Sequence, residues 1–313
     1  MALSILTLLV FLLPRARPGD PVGNLVDAGD ADPEYVAQAR AAAERSLGLD
    51  RPLPEQFGRF VADLAHGNLG FSAGNSRPVS ALLRQTLPWT VLLMGTSLVL
   101  SSFLSYRIGV AAAWRRGTVG DRAITVGSTL LHAIPDYALA MVFLVLFAVR
   151  IRLFPIVGAS TPFTQSASGL YKLGDVANHL VLPVAALTLG LMGTKFLLVR
   201  NATISALGQD YMVLARAKGL PERLLKRRHA GRNALLPFLN LVGIQVGIAF
   251  GGATFVQTVF GYPGVGPLMV AAVRGADYAV LQGCFLVAAV LVLTANLVVD
   301  LVAVGVDPRV GAR

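Results

Sequence analysis

The 313-residue sequence has one cysteine, four scattered histidines, and charged side chains at only 14% of positions. A single cysteine, Cys284, excludes an intrachain disulfide, and its place in an apolar run argues against redox chemistry. His66, His132, His179 and His229 lie far apart, with no HExxH motif and no i,i+4 pair to suggest a metal site. No GxxxxGK[ST] loop is present, which excludes a P-loop ATPase of the usual kind. There is also no catalytic constellation, no repeat, no low-complexity tract and no separate soluble catalytic domain.

What the chain has in excess is apolar surface. Hydrophobic residues make up 55% of it and the mean hydropathy is +0.65. These values are wrong for a soluble enzyme of this length and fit an all-α polytopic membrane protein. A hydrocarbon core about 30 Å thick needs roughly 20 apolar residues per crossing. Five segments supply them: Trp89–Ala113, Ala123–Val149, His179–Val199, Phe238–Phe260 and Val280–Val304. A sixth, Ala2–Leu13, covers only about 18 Å as a helix. It lacks the basic start of a signal peptide and is followed by Pro14-Arg15-Ala16-Arg17-Pro18 rather than a cleavage site. It is therefore read as an abbreviated first transmembrane helix, which an upstream start would account for. The expected organisation is a short first helix (1–14), an extracytoplasmic helical segment (15–88), a transmembrane core (89–304) with a cytoplasmic loop at 201–236, and a tail (305–313).

Net charge is +10 and the isoelectric point about 10.3. In a soluble chain this would suggest nucleic acid, but here the loops decide. Arg115, Arg116 and Arg122 share one short loop, Asn201–Leu236 holds seven basic residues, and Arg309 and Arg313 lie in the tail. With about six alternating helices all three regions fall on one side, which the positive-inside rule makes cytoplasmic together with both termini. The segment Arg15–Pro88 lies opposite, with eight arginines against nine acids. Within it Asp32 before Pro33-Glu34 is an N-cap, and Gly48 ends a helical pattern. A second unit starts at Pro54 and sets Phe57, Phe60, Val61 and Leu64 on one face before Gly67. "DAGDADPE" is the expected flexible stretch.

Charge inside the membrane is the other place to look for function. Asp136 falls near the middle of the third apolar segment, beside Pro135. A charge there costs about 2.5–3.5 kcal/mol on insertion scales, so it needs a polar path or a partner. It is a lumen-facing acid that meets a cationic group of a solute, an acid hydrogen-bonded to a neighbouring helix, or one nearer the interface than these boundaries place it. Lys195 and Arg200, near the cytoplasmic end of the fourth segment, are expected to snorkel to the surface. Asp300 is expected to pair with loop arginines. The glycines of "GGATFVQTVFGYPGVG" suggest close helix packing followed by a turn.

The densest charge lies in "DYMVLARAKGLPERLLKRRHAGRNALLP", Asp210–Pro237, with seven basic residues against two acids. Its pattern predicts a first helix ending near Lys218 with Gly219 at the left-handed position beyond it. A second helix opens at Pro221 and Glu222, and Pro237 marks the start of the fifth membrane helix. Tyr211, Leu214, Ala215 and Lys218 are placed on one face by i,i+3,i+4 spacing, while Ala215, Ala217 and Gly219 are small enough for close approach. Anionic lipid explains the charge but not this layout. Nucleic acid would call for interleaved aromatics, and only Tyr211 is present, so no nucleic-acid partner is expected. A protein docking on the cytoplasmic face fits every feature.

These residues carry a resemblance. "DYMVLARAKGL…RHAGRNALLP" resembles the cytoplasmic coupling motif of permeases of binding-protein-dependent ATP-binding cassette (ABC) importers, in the B-type oligopeptide/dipeptide/nickel class. Gly219 matches the motif glycine and Leu236-Pro237 its Leu-Pro. Val213, Leu214 and Ala215 occupy the Glu-Ala-Ala places without the glutamate. Ala215, Arg216, Ala217, Lys218, Gly219 and Leu220 match the A-R-A-K-G-L form of the peptide class. Pro18-Gly19-Asp20-Pro21, "LGLDRPLPEQFGRFV", "HGNLGFS" with Asn68 for aspartate, "TVFGYPGVG" and "DLVAVGVDPRV" extend the likeness over almost the whole chain. A glutamate is usual before "TVF", where this chain has Gln257.

The resemblance implies a type I importer permease fold and a subunit of the bacterial plasma (inner) membrane without catalytic activity. It implies pairing with a second homologous permease as a heterodimer, and two ATPase subunits carrying ATP and Mg, with no cofactor on this chain. An extracytoplasmic binding protein would deliver the solute. ATPase coupling would fall to Asp210, Tyr211, Leu214 and Ala215 through Leu220, and Asp136 and Gln257 would lie along the translocation path. Peptides are the expected solute, although nickel and glutathione share this permease type. The rival reading is a self-sufficient channel or ion-coupled secondary transporter using Asp136.

Overall fold

The computed structural model describes residues 7–12, 34, 37–38, 51–72, 74–162 and 168–306. The chain divides into two compact units, Met1–Trp89 with Gly264–Leu291, and Thr90–Pro263 with Val292–Arg313. The expected helix between Asp32 and Gly48 and the "DAGDADPE" stretch fall almost wholly outside the described residues.

In the first unit, residues 7–12 are helical and bury Phe11. Helix α1 (Leu53–Ala65) turns Phe57 and Phe60 toward the Phe11 ring, with centroids 5.3 and 5.7 Å away. Its apolar stripe thus has an intramolecular target, as an amphipathic helix requires. Gly67 just beyond has φ +74°, a left-handed value that a side chain would strain. A small antiparallel hairpin follows, β1 (Phe71–Ser72) and β2 (Arg77–Pro78), paired Phe71 with Pro78 and Ser72 with Arg77. The apolar periodicity gave no sign of it. The hairpin is pinned from below, since Ser72 Oγ donates to Asp277 Oδ2 (2.6 Å) and Gly74 N donates to the same oxygen (3.3 Å). Asp277 also caps the last helix by accepting from Val280 N (3.2 Å). The stretch Gly261–Ala279, which connects the last two long apolar segments of the sequence, contains helix α9 (Val265–Arg274). Ten residues are too few to cross a membrane, so length alone had assigned them to a connection.

Two long helices have residues in both units. The first, α2 (Val79–Trp114), begins ten residues before the expected Trp89 and carries Pro88 inside it. The last, α10 (Tyr278–Val306), leaves large apolar side chains such as Leu297 and Leu301 uncovered, as a lipid-facing helix does.

The second unit holds the remaining helices. The expected single span Ala123–Val149 is instead broken. Helix α3 (Val119–Ala133) ends at Ile134, whose ψ of 126° is extended, and α4 (Asp136–Phe143) restarts after Pro135 at an angle of 101°. A residue before proline disfavours the helical region, and proline has no N–H to continue the ladder. A π-helical stretch, Leu144–Arg150, prolongs α4. Helix α5 (Gly169–Leu207) has 39 residues, about 58 Å, so its ends stand well clear of a 30 Å hydrocarbon layer. After α6 (Asp210–Ala217) and α7 (Glu222–Leu224), a π-helical turn (Leu225–Ala230) leads into α8 (Gly231–Val259). Pro237 lies inside α8, not at its start. Interior prolines are tolerated better in membrane helices, where neighbouring helices and side chains satisfy the freed carbonyl.

Close packing here uses glycine. A Cβ on Gly109 of α2 would lie 2.9 Å from the Val199 side chain on α5, and one on Gly243 of α8 would lie 3.1 Å from Asn296 Oδ1 on α10. Among the described residues four helices are long and apolar enough to span a membrane, and the bent α3–α4 pair adds a fifth when counted as one broken span. They match the five long segments expected from the sequence. The fold is that of an all-α polytopic membrane protein.

Candidate functional site

The basic loop folds into a short, firmly seated helix. Asp210 lies in the first turn of α6 and Arg216 in the last, each opposite in sign to the helix end it occupies. Met212 and Ala215 point inward, into a cluster with Ala206, Leu225 and Ala230 that Trp114, Leu207 and Leu220 flank. Beyond the helix, Gly219 N donates to Arg216 O (2.9 Å) and Leu220 N donates to Ala215 O (3.4 Å). With Gly219 at φ +72° this is a Schellman ending, closed by the apolar Leu220 packing back on the cluster. The A-R-A-K-G-L stretch therefore has a structural task. Ala215 is small because it is buried, Gly219 supplies the left-handed turn, and Leu220 seals the end.

The four residues expected on one face differ in exposure. Tyr211, Leu214 and Lys218 are exposed, but Ala215 is turned into the chain's own core. What α6 offers outward is Leu214 (57% exposed) and Val213 (64%), with Tyr211 and Ala217 beside them. Arg216 and Lys218 rim this apolar knob. The Arg216–Glu222 pair, 3.9 Å apart and solvated, adds little to stability.

Two cations near the end of α5 do not snorkel as expected. Arg200 makes a two-pronged pair with Asp121 in the first turn of α3, Nε to Oδ1 at 2.6 Å and Nη2 to Oδ2 at 2.8 Å. Lys195 has no exposed surface, and its Nζ donates to Ser101 Oγ (2.7 Å) and Ser102 Oγ (3.3 Å) of α2. A long side chain snorkels only when a path to water is open, and α2 closes that path here. Asp300 is exposed and pairs with none of the described residues.

Asp136 is not in the middle of a straight helix. It opens α4 at the break, half-buried, and makes no hydrogen bond or ion pair with the described residues. Its carboxylate lies against Gly190 of α5 and Gly252 of α8, where a Cβ on either glycine would overlap it. One turn earlier on α3, the His132 ring meets Thr194 Oγ1 of α5 at 3.2 Å from Nε2. Sequence reasoning singled out Asp136 and missed this company. The four-residue spacing of His132 and Asp136 was the available signal. Gln257 is fully buried and donates from Nε2 to Thr90 Oγ1 (3.1 Å), so it faces its own chain in this conformation.

Residues 105–312 match the family described as binding-protein-dependent transport system inner membrane component. The chain belongs to it. It is 35% identical over 98% of its length to a peptide permease protein of Brucella ovis, covering 94% of that protein. It is 33% identical to the glutathione transport system permease GsiC of Salmonella paratyphi A and 32% identical to the oligopeptide transport system permease AppB of Bacillus subtilis. These likenesses cover 98% and 97% of the chain, and 94% of each relative. This member of the ABC peptide-permease family is thus a multi-pass permease subunit of an importer. The α6 knob and the α3–α4 break both fall within the matched residues.

Proposed function

We propose that the permease forms half of a translocation path for peptides and takes its power from ATPase subunits that dock on α6. The observation that carries this is the exposed apolar knob of Tyr211, Val213 and Leu214 on a helix locked into the chain's own core. Large apolar side chains on a loop this basic favour a protein partner over lipid alone. The relatives named as oligopeptide, peptide and glutathione permeases support small peptides as cargo.

In this reading a second homologous permease completes the path, and a binding protein delivers solute from the extracytoplasmic side. ATP and Mg sit on the two ATPase subunits, and both termini and the Asp210–Leu220 region are cytoplasmic. Closure of the ATPase dimer displaces α6. Met212 and Ala215 tie α6 to Ala206 on α5 and to Leu225 and Ala230 ahead of α8, so the displacement passes directly to two membrane helices. Asp136 and Gln257 are the candidate path residues.

The test is ATP-driven peptide uptake in proteoliposomes holding the complete transporter. Gly219→Arg forces a side chain into a left-handed turn and sets a bulky cation beside the knob. Uptake should be lost while membrane insertion persists. Normal uptake, or failed insertion, removes the assigned role of that turn. Solute transport by this chain without any ATPase would instead favour the self-sufficient channel.

A further inference from the structure

We propose that Asp136, with His132, Thr194 and Tyr137, forms a subsite that receives an ammonium group of the transported peptide, an inference that rests on the permease reading above.

Four observations converge on this site. The carboxylate stands within a long apolar segment, half-buried, and a charge so placed does not face lipid. The approach of Gly190 and Gly252 clamps it between the backbones of α5 and α8, which fixes its position without a hydrogen bond. Both carboxylate oxygens thus keep their acceptor capacity, since no described Lys or Arg pairs with them and the His132 ring acts on them only through space, without a hydrogen bond. Finally, the next turn of α5 holds His132, because a Cβ on Gly193 would come within about 2.5 Å of the His132 side chain and Thr194 bonds to its ring.

The chemistry favours an ammonium ligand. A fixed carboxylate supplies the charge, and the Thr194 hydroxyl supplies a further acceptor for a group with three donors, beside the His132 ring. Tyr137 is 48% exposed, and its ring leans on Phe255 of α8 with centroids 6.2 Å apart, which offers an aromatic face of the kind cations select. A metal cargo is less well served, because no group of three His, Cys, Asp or Glu side chains is gathered among the described residues. The helix break makes the site. In a straight helix His132 and Asp136 would stack along one face, whereas the 101° bend turns α4 away and lets the carboxylate settle between two neighbouring helices.

The experiment uses the complete transporter in proteoliposomes and three probes: trialanine, N-acetyl-trialanine, and N-acetyl-Ala-Lys-Ala. The last two separate a terminal from a side-chain ammonium. Asp136→Asn should lower kcat/KM about 10- to 100-fold for trialanine, for the lysine peptide, or for both, and less than about 2-fold for N-acetyl-trialanine. Whichever peptide falls names the source of the ammonium. Gly190→Ala keeps the acid but places a methyl where the carboxylate rests, and it should reproduce the same selectivity. Equal losses on all three peptides, or none, overturn the proposal. So does failure of Asp136→Asn to co-purify with the second permease, which would make a partner cation the true ligand. A wild-type transporter that takes up none of the three peptides with ATP overturns the peptide reading itself, a result distinct from any effect of Asp136.

Discussion

Removing Arg200 should damage this permease more than removing the acid it holds, and the asymmetry follows from burial. The Asp121 side chain is 2% exposed and that of Arg200 is 17%. In Arg200→Met the carboxylate loses both guanidinium bonds and keeps one backbone donor, Gly117 N at 3.0 Å. An uncompensated buried charge costs about 3–5 kcal/mol, and the partial exposure of this pair argues for the low end. About 3 kcal/mol corresponds to roughly a 150-fold fall in the folded-to-unfolded ratio. In Asp121→Asn the arginine is stranded instead, but it is long and already reaches solvent. It reorients, and the loss should be about 1.5 kcal/mol. The double variant removes both charges and should be less damaged than the sum by about 2 kcal/mol. The assay is unfolding of the purified complex in detergent, comparing wild type with the three variants at one temperature. Additivity within about 0.5 kcal/mol, or a larger loss in Asp121→Asn than in Arg200→Met, would refute the reasoning. The pair joins the start of α3 to α5 about two turns before α5 ends, so its loss should also blunt coupling of uptake to ATP.

Two further outcomes are expected. Lys195→Met replaces a fully buried amine, held by two serines and no described acid, with an apolar chain of similar length. Stability in the same assay should be unchanged or higher by up to about 2 kcal/mol, and a loss above about 1 kcal/mol would sink this account. Ser72→Ala removes the 2.6 Å bond to Asp277 and the acceptor for Asn75 N (3.0 Å). Amide exchange at Asn75 should speed up at least 10-fold, for a local cost of about 1–3 kcal/mol, and unchanged protection would mean the hairpin is held by something else.

The long helices were legible because membrane spanning is a requirement on composition. Roughly twenty apolar residues leave a signal that no local detail hides, and all five long segments are found. Errors gathered where helices begin, end or break. Pro88, Pro135 and Pro237 look alike in sequence, yet two lie inside continuous helices and one divides a span. A proline removes one hydrogen bond wherever it stands. Whether the chain bends is decided by what packs against the freed carbonyl, and that is long-range information. The small hairpin and α9 were missed for a different reason: two-residue strands are too short to show alternation, and a ten-residue helix is too short to register as a membrane span.

The candidate sites show the same division more sharply. Gly219 was assigned its left-handed turn from sequence, because a helix ending in Lys-Gly-Leu has a local solution. The inward direction of Ala215 was not, since helical spacing places residues relative to one another but does not say which side the core is on. Lys195 and Arg200 make the point for charge. Both stand five residues apart on one helix, and hydropathy treats them alike. One finds an acid 79 residues away in sequence and the other only hydroxyls. Asp136 is the case with most consequence. Its cost in an apolar segment announced that it must be answered by something, and among the described residues only the His132 ring interacts with it electrostatically, without a hydrogen bond. Its remaining partner is proposed to arrive with what passes through the permease, against the alternative of a cation on the second permease.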